Sequence, residues 1–137
     1  MTPFEQVAEF AAAFGVRTRP VPSSAGLGAA DGELALRRRL LDEEVGEFAD
    51  AVAERNLTAV ADALADIVYV ACGTAGLLGI PFDEVFAEVH RANMSKLGPD
   101  GRPVLRADGK VLKGSGYVPP DVAGVLAAAR RRGERRR

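Results

Sequence analysis

Apolar residues recur at helical spacing near the start of the chain and predict a first helix. Its buried side is formed by residues three, three and four positions apart, namely Phe4, Val7, Phe10 and Phe14. Thr2 and Glu5 have the spacing of a capping box, and the proline between them suits the first turn. Gly15 predicts the end of this helix. The proline- and glycine-rich residues 16–32 predict a long loop.

Three longer helices are predicted next, over residues 32–54, 57–78 and 82–96. The apolar stripe of the second helix consists of Leu34, Leu41, Val45, Phe48 and Val52. Asp31 and Asn56 are suitable N-caps for the second and third helices, and Gly79 is a suitable end for the third. The third helix is apolar on almost every side, and Asp62 and Asp66 are its only charged residues. We therefore expect it to be largely buried.

The rest of the chain is rich in turns. Two Asp-Gly pairs predict tight turns, and the segments Val104-Leu105 and Val111-Leu112 around the second pair predict a small hairpin. Pro119-Pro120-Asp121 predicts the start of a short alanine-rich helix. The whole pattern predicts a single all-α domain over residues 1–129, with a short turn-rich C-terminal appendage.

Composition and charge exclude several classes of protein. The 137 residues are 47% hydrophobic, which is enough for one folded domain. The formal net charge of −1 argues against a general nucleic-acid coat, and we expect no specific nucleic-acid partner. The last eight residues contain six Arg and one Glu. We expect this basic tail, residues 130–137, to be disordered, and a contact with a polyanion is the alternative.

Sequence features also bear on location. No run of 18 apolar residues predicts a membrane span, and the first residues have acids where a signal peptide needs a basic start and an apolar stretch. The single cysteine, Cys72, excludes an internal disulfide, and the single histidine, His90, excludes a multi-histidine zinc site. We expect a cytoplasmic protein with no membrane contact.

Five acidic residues stand out on the second and third helices. Glu43, Glu44 and Glu47 share one side of the second helix, and Asp62 and Asp66 are four residues apart on the third. Glutamate clusters are commonly solvated surfaces, but carboxylates in an apolar helix must be paired, protonated or bound to metal. Carboxylate ligands suit Mg²⁺, or alternatively Mn²⁺, and leave positions for the phosphates of a substrate.

These acidic segments, together with the end of the fourth helix, resemble the all-α nucleoside triphosphate pyrophosphatases. This superfamily includes MazG, phosphoribosyl-ATP pyrophosphohydrolase and the dimeric dUTPases. The matching segments are Glu43-Glu44-Val45-Gly46-Glu47, Asp62 to Tyr69, Glu88 to Lys96, and Gly109 to Pro120. The commoner pattern has a glutamate where this chain has Ala63, and Asp62, one position earlier, is the candidate replacement.

The resemblance implies a MazG-like four-helix core, a homo-oligomer (a dimer or a dimer of dimers), and Mg²⁺-dependent release of pyrophosphate from a nucleoside triphosphate. We expect Glu44, Glu47 and Asp66 to ligate the metal, with Glu43 and Asp62 sharing it or orienting water. The resemblance favours dUTP as the substrate, in cleaning of the nucleotide pool. Phosphoribosyl-ATP hydrolysis in histidine synthesis and a noncatalytic metal-binding adaptor are the alternatives.

Two polar residues near the end of the fourth helix are candidates for substrate binding. Asn93 and Lys96 are three residues apart and share a side of the helix. The Asn93 amide has a donor and an acceptor that match the uracil edge, with a phosphate or sugar contact as the alternative. In that alternative, the 16–32 loop recognises the base. Lys96 is expected to bind a phosphate.

Other candidates lie in the turn-rich segment and before the acidic cluster. The residues expected to fold over the triphosphate are Lys110, Lys113 and Tyr117. The alternative is that they are ordinary loop residues without a role in binding. Arg38 lies five and six residues before the glutamate pair and is a candidate phosphate contact.

Overall fold

The computed structural model describes residues 1–28 and 32–136, and these residues fold mainly into helices. The helices are α1 (Pro3–Phe14), α2 (Gly32–Ala53), α3 (Leu57–Leu78), α4 (Phe82–Met94) and α5 (Val122–Glu134), with a 3-10 turn at Ser24–Leu27. Strands β1 (Val104–Leu105) and β2 (Val111–Leu112) form a small antiparallel hairpin. The predicted all-α class is confirmed. Helix α4 ends two residues before its predicted end, and the chain turns there towards the hairpin.

Local side-chain chemistry sets the helix ends. The Thr2 hydroxyl accepts a hydrogen bond from the Glu5 N–H at 3.1 Å, and the Glu5 carboxylate accepts one from the Thr2 N–H at 2.6 Å. Asn56 caps α3 by accepting from the Ala59 N–H, and Gly79 ends the helix with φ 70°. These caps satisfy backbone groups that have no partner inside a helix. Asp31, the predicted cap of α2, lies outside the described residues.

The chain forms two compact units, Met1–Phe82 and a second that begins at Asp83. In the first unit, α2 and α3 pack along each other and α1 packs against α3. The short connection between α2 and α3 makes them antiparallel neighbours. In the second unit, the Gly114 N–H donates to the Lys96 carbonyl and the Val118 N–H donates to the Ser95 hydroxyl. The turn-rich segment is thereby fastened to the end of α4. The single domain over residues 1–129 stays a prediction.

The described part of the predicted loop is fastened to the C-terminal end of α3. The Arg19 N–H donates to the Gly76 carbonyl at 3.0 Å, and the Ser23 N–H donates to the Leu78 carbonyl at 3.1 Å. The Arg19 guanidinium donates to the Leu77 carbonyl at 2.5 Å. The last carbonyls of a helix have no partner within it, so the loop supplies the missing donors.

The core of the first unit is made mostly of small residues. Its buried apolar side chains are Val7, Ala11, Ala51, Ala63, Cys72, Ala75 and Leu77. Small side chains let helices approach closely but cover little neighbouring surface. Leu57, Leu64 and Val68 of α3 remain exposed as a result. The expectation that α3 is largely buried is therefore wrong for a single chain, because α1 and α2 cover only part of its circumference.

Helix α3 is the one helix in the described residues long and apolar enough to cross a membrane, judged by length and composition alone. The helix contains no unbroken run of 18 apolar residues, because Asp62 and Asp66 interrupt its apolar stretch. The helix packs against α1 and α2. The core helix of a soluble protein passes the same test, so this feature is weak evidence for a membrane span.

The basic tail is more ordered than predicted over its first half. Helix α5 begins at an Asp121 cap, whose carboxylate accepts from the Gly124 N–H at 2.9 Å, and continues to Glu134. Residues 130–134, expected to be disordered, are therefore helical. Cations in the last turn are favourable because they face the negative end of the helix dipole. Arg132 also pairs with Glu84 at 2.6 Å. Residue 137 lies outside the described residues.

Candidate active site

Glu44 of α2 is the centre of the acidic cluster. Its carboxylate oxygen Oε2 is buried and has no hydrogen-bond partner in the part of the chain that the structure describes. Burial raises the pKa of the Glu44 carboxyl above its ordinary value, and the charges of Glu47, Asp66, Glu43 and Asp62 raise this pKa further. The other four predicted acids therefore lie close enough to act on the Glu44 carboxyl where α2 packs on α3.

The five acids differ in their exposure to solvent. Glu44 and Asp66 are half-buried, whereas Glu43, Glu47 and Asp62 are exposed. The argument that an acid in an apolar helix needs a partner therefore applies to Asp66 but not to Asp62, because α3 is open to solvent beside Asp62. The cluster has a half-buried pair across the two helices and three acids at its rim.

The donor chemistry of this cluster fits a hard divalent cation. All its donors are carboxylate oxygens, its charges repel one another, and a buried oxygen of Glu44 lacks a partner. Within residues 1–28 and 32–136, the structure shows no group of three or more acidic, histidine or cysteine side chains placed to hold a metal ion. The carboxylates of the cluster therefore do not point to one common position. Ligation would therefore require the exposed carboxylates to turn inward from their solvated rotamers. His90 is exposed on α4.

Asn93 and Lys96 form a hydrogen-bonded pair at the end of α4. The Lys96 ammonium donates to the Asn93 Oδ1 at 2.7 Å. One lone pair of the Asn93 Oδ1 is therefore occupied, and the second lone pair and the N–H groups remain available. The expected donor-and-acceptor match of Asn93 with a uracil edge stays a prediction. A surface with an ammonium and amide donors is better suited to phosphate oxygens.

The three candidates of the turn-rich segment lie in the same unit as that pair. The Lys113 ammonium lies 4.7 Å from the centre of the Tyr117 ring, which is a cation–π distance. The Lys110 N–H donates to the Asp108 carboxylate at 3.1 Å in the hairpin turn. Lys110 and Lys113 are exposed, and Tyr117 is half-buried. The Gly114 N–H donates to the Lys96 carbonyl, so the preceding residue, Lys113, lies close to the end of α4.

Two arginines of α2 differ in their surroundings, and the predicted phosphate contact of Arg38 stays a prediction. Arg38 is 84% exposed, and its Nε lies 3.8 Å from the Asp42 carboxylate. Arg37 is half-buried, and its guanidinium lies against Gly73 of α3. Arg37 precedes Glu44 by seven residues, so the two share a side of α2, whereas Arg38 is rotated away by about 100°.

Comparison with known proteins establishes the family. Residues 7–93 match the model of the phosphoribosyl-ATP pyrophosphohydrolase family. The match covers more than half of the chain and includes all five acids, so the chain belongs to this family. The predicted resemblance to the all-α nucleoside triphosphate pyrophosphatases is confirmed. The chain is a member of an enzyme family of pyrophosphohydrolases.

Individual relatives add little to this assignment. An uncharacterized protein of Acanthamoeba polyphaga mimivirus is 37% identical over 78 residues, which are 57% of this chain and 29% of the viral protein. The match thus spans less than a third of that relative's length. A crystal structure from Exiguobacterium sp. 255-15, named provisionally as an NTP pyrophosphohydrolase, has 24% identity and a TM-score of 0.49, with coverage of 99% of this chain and 98% of that chain. This similarity is too low to carry an argument.

Proposed function

We propose that the protein is a Mg²⁺-dependent hydrolase that converts a nucleoside triphosphate into a nucleoside monophosphate and pyrophosphate. The observation that carries the proposal is the Glu44 carboxylate, which has a buried oxygen without a partner and four other acids acting on it. Such an arrangement is unfavourable in the metal-free chain. A bound cation would offset it, and the family match supports a phosphoanhydride as the substrate.

The five acids would divide into ligands and a proton acceptor. Glu44, Glu47 and Asp66 would hold the ion, with Glu43 and Asp62 at its edge. Mg²⁺, when bound, supplies positive charge that offsets the triphosphate and makes water more acidic. Water attacks the α- or the β-phosphorus and forms a new P–O bond there. The P–O bond from that phosphorus to the oxygen bridging the α- and β-phosphorus breaks, and the products are the nucleoside monophosphate and pyrophosphate. Glu43 or Asp62, exposed at the rim, would accept the proton of the water as general base.

Polar residues near the end of α4 and in the turn-rich segment would bind phosphate. We assign Lys96 and Asn93 to this task, because an ammonium and an amide both offer donors to phosphate oxygens. Lys110 and Lys113 would add positive charge, with Tyr117 holding the Lys113 ammonium in place. Recognition of the base would then fall to other residues.

Two substrates are candidates for the proposed hydrolysis. The sequence resemblance to dUTPase-type proteins supports dUTP, in cleaning of the cytoplasmic nucleotide pool. The name of the matching family supports phosphoribosyl-ATP as the second candidate. Both substrates carry a triphosphate, so the same acids would serve either reaction.

A substrate panel tests the proposal. The protein is incubated with each dNTP, each NTP and phosphoribosyl-ATP, with Mg²⁺ or with a chelator, and pyrophosphate is measured. We expect Mg²⁺-dependent pyrophosphate from at least one triphosphate, fastest with dUTP, and none from Glu47→Gln. Fastest release from phosphoribosyl-ATP would assign the second candidate. No pyrophosphate from any substrate would mean that the chain is a noncatalytic metal-binding adaptor.

A further inference from the structure

Positive charge is concentrated towards the end of the chain. Residues 83–137 contain 12 of the 18 Lys and Arg residues but 7 of the 19 acids, so the second unit is basic and the first is acidic. Six of these cations are the arginines of the basic tail. A charge asymmetry of this kind is a signal of an interaction with nucleic acid or with a membrane. The proposed reaction uses none of the six arginines.

Four exposed arginines form one surface over the last turns of α5. They lie within about 140° of the helix circumference. This arginine surface consists of Arg131, Arg132, Arg135 and Arg136. Helical geometry continues beyond Glu134, because Arg135 has α-helical backbone angles and the Arg136 N–H donates to the Gly133 carbonyl at 3.3 Å. Glu134 itself follows Arg130 by four residues, so it lies on another side of the helix.

The charge of the arginine surface is mostly uncompensated. Arg132 pairs with Glu84 at 2.6 Å. In the part of the chain that the structure describes, no carboxylate forms an ion pair with Arg131, Arg135 or Arg136. Arginines four residues apart on a helix, such as Arg131 and Arg135, repel each other. An external anion would offset this repulsion, and the exposed guanidiniums are accessible to one.

The chemistry of this surface favours the phosphates of nucleic acid over a lipid membrane. A guanidinium can form two parallel hydrogen bonds with one phosphate, and every cation of the basic tail is an arginine. A helix that binds a membrane surface needs large apolar side chains beside its cations. Here residues 127–129 are alanines and residue 133 is glycine, which are too small to insert into lipid. The larger side chains of α5, Val125 and Leu126, are half-buried within the protein.

We propose that the arginine surface of α5 binds the phosphate backbone of nucleic acid without regard to base sequence. The inference is independent of the proposed function, because it uses neither the acidic cluster nor the triphosphate. The four residues span roughly 8 Å along the helix axis, a length over which a duplex carries about four phosphates. Neutralising these phosphates releases counterions, so the affinity depends strongly on salt. No base is contacted, which agrees with the expectation of no specific nucleic-acid partner.

Fluorescence anisotropy with a labelled DNA duplex of about 20 base pairs tests the proposal. The tail variant replaces three arginines of the surface, as Arg131→Gln, Arg135→Gln and Arg136→Gln. The matched control removes three exposed arginines elsewhere, as Arg39→Gln, Arg55→Gln and Arg102→Gln. For the wild type, log K should fall with log salt with a slope of about −3 to −4. The tail variant should bind at least about tenfold more weakly at about 50 mM salt, with a slope near roughly −1. The control should keep most of the wild-type affinity and slope.

Further measurements separate this partner from the other polyanions. Two duplexes of unrelated sequence should bind equally, because the phosphate backbone carries no sequence information. Lysine at the same three positions should restore the salt slope, because it restores the charge, and circular dichroism should show the same helix content in all variants. Vesicles that contain phosphatidylserine should bind the wild type more weakly than the duplex does at equal phosphate concentration.

Three results would overturn the proposal. Equal duplex affinity of the tail variant and the matched control would show that the arginine surface has no part in binding. Tighter binding to the vesicles than to the duplex would assign the surface to a membrane. A lower mass of the tail variant than of the wild type in light scattering would assign it to a contact with a second copy of the chain.

Discussion

At the scale of single residues, the proposed metal site depends on how one carboxylate responds to its surroundings. Burial and four neighbouring acids destabilise the charged form of Glu44. Of these acids, Glu47 has the largest effect. Carboxyl groups whose pKa is raised by burial and by neighbouring charges are commonly found at functional sites. The sequence could identify the five acids because helical spacing places like charges together. It could not identify Glu44 as their centre, since that depends on where α3 packs.

Neutralising Glu44 should stabilise the metal-free protein. The folded state holds the Glu44 proton more tightly than the unfolded state, so the charged carboxylate lowers stability at pH values above its folded pKa. Glu44→Gln should therefore have a higher Tm than the wild type in a chelator at neutral pH. Mg²⁺ should raise the Tm of the wild type and leave that of Glu44→Gln nearly unchanged. A lower Tm for Glu44→Gln in a chelator would contradict the assigned repulsion.

Glu88 should give the opposite pH dependence. Its carboxylate accepts from the Arg91 guanidinium at 2.8 and 2.7 Å and from the Asp121 N–H at 2.8 Å. The Arg91 hydrogen bonds, followed by that of Asp121, lower the pKa of Glu88 to about 2. Its contribution to stability is present above the unfolded value of 4.5 and is lost as the pH falls towards 2. The Tm difference between wild type and Glu88→Gln should shrink over that range, and Glu9→Gln, at an exposed residue, is the control for the substitution itself.

At the scale of elements, helix ends were predictable and contacts between elements were not. Thr2, Asn56 and Gly79 act within their own turn of the chain, so their roles follow from local sequence. The half-burial of Arg37 depends on Gly73, which lies on another helix. The attachment of residues 16–28 to the end of α3 depends on two backbone N–H groups and on the Arg19 guanidinium, all of which bind carbonyls of α3. Such contacts leave no distinct signal in one sequence.

Gly114 should be required for the turn-rich segment to lie against α4. A side chain there would begin 2.6 Å from the Leu97 carbonyl oxygen and 2.8 Å from that of Lys96. Gly114→Ala should therefore destabilise this contact by about 1–3 kcal/mol. Amide exchange of residue 114 should accelerate, and KM for the triphosphate should rise because Lys113 is displaced. Gly116 has no neighbour within 4 Å of such a side chain, so Gly116→Ala is the matched control. Equal effects of the two variants would refute the close contact.

At the scale of the whole molecule, a single chain leaves apolar surface uncovered. On α2, Val45 and Val52 are 53% and 51% exposed, and on α3, Leu64 and Val68 are 48% and 46% exposed. Hydropathy in the sequence identified α3 as a helix to be buried but could not say what would cover it. Contiguous exposed apolar surface commonly marks an interface. We propose that a second copy of the chain covers it.

Light scattering tests that assembly. The wild type should elute with a mass that is a multiple of 14.4 kDa. Leu64→Glu should shift the mass towards the monomer, because a carboxylate in an apolar interface is unfavourable. Leu105, 55% exposed on the hairpin, supplies the control Leu105→Glu, which should keep the wild-type mass. A wild-type monomer that hydrolyses triphosphate at full rate would exclude the proposed assembly.

The reaction itself is tested most directly by following dUTP with ³¹P NMR in the presence of Mg²⁺. If the protein hydrolyses dUTP as proposed, the three triphosphate signals should be replaced by those of dUMP and pyrophosphate in equal amounts. Asp66→Asn should leave the triphosphate signals unchanged over the same time. Appearance of dUDP and orthophosphate would contradict the proposed bond cleavage, and unchanged substrate with the wild-type protein would contradict hydrolysis of dUTP.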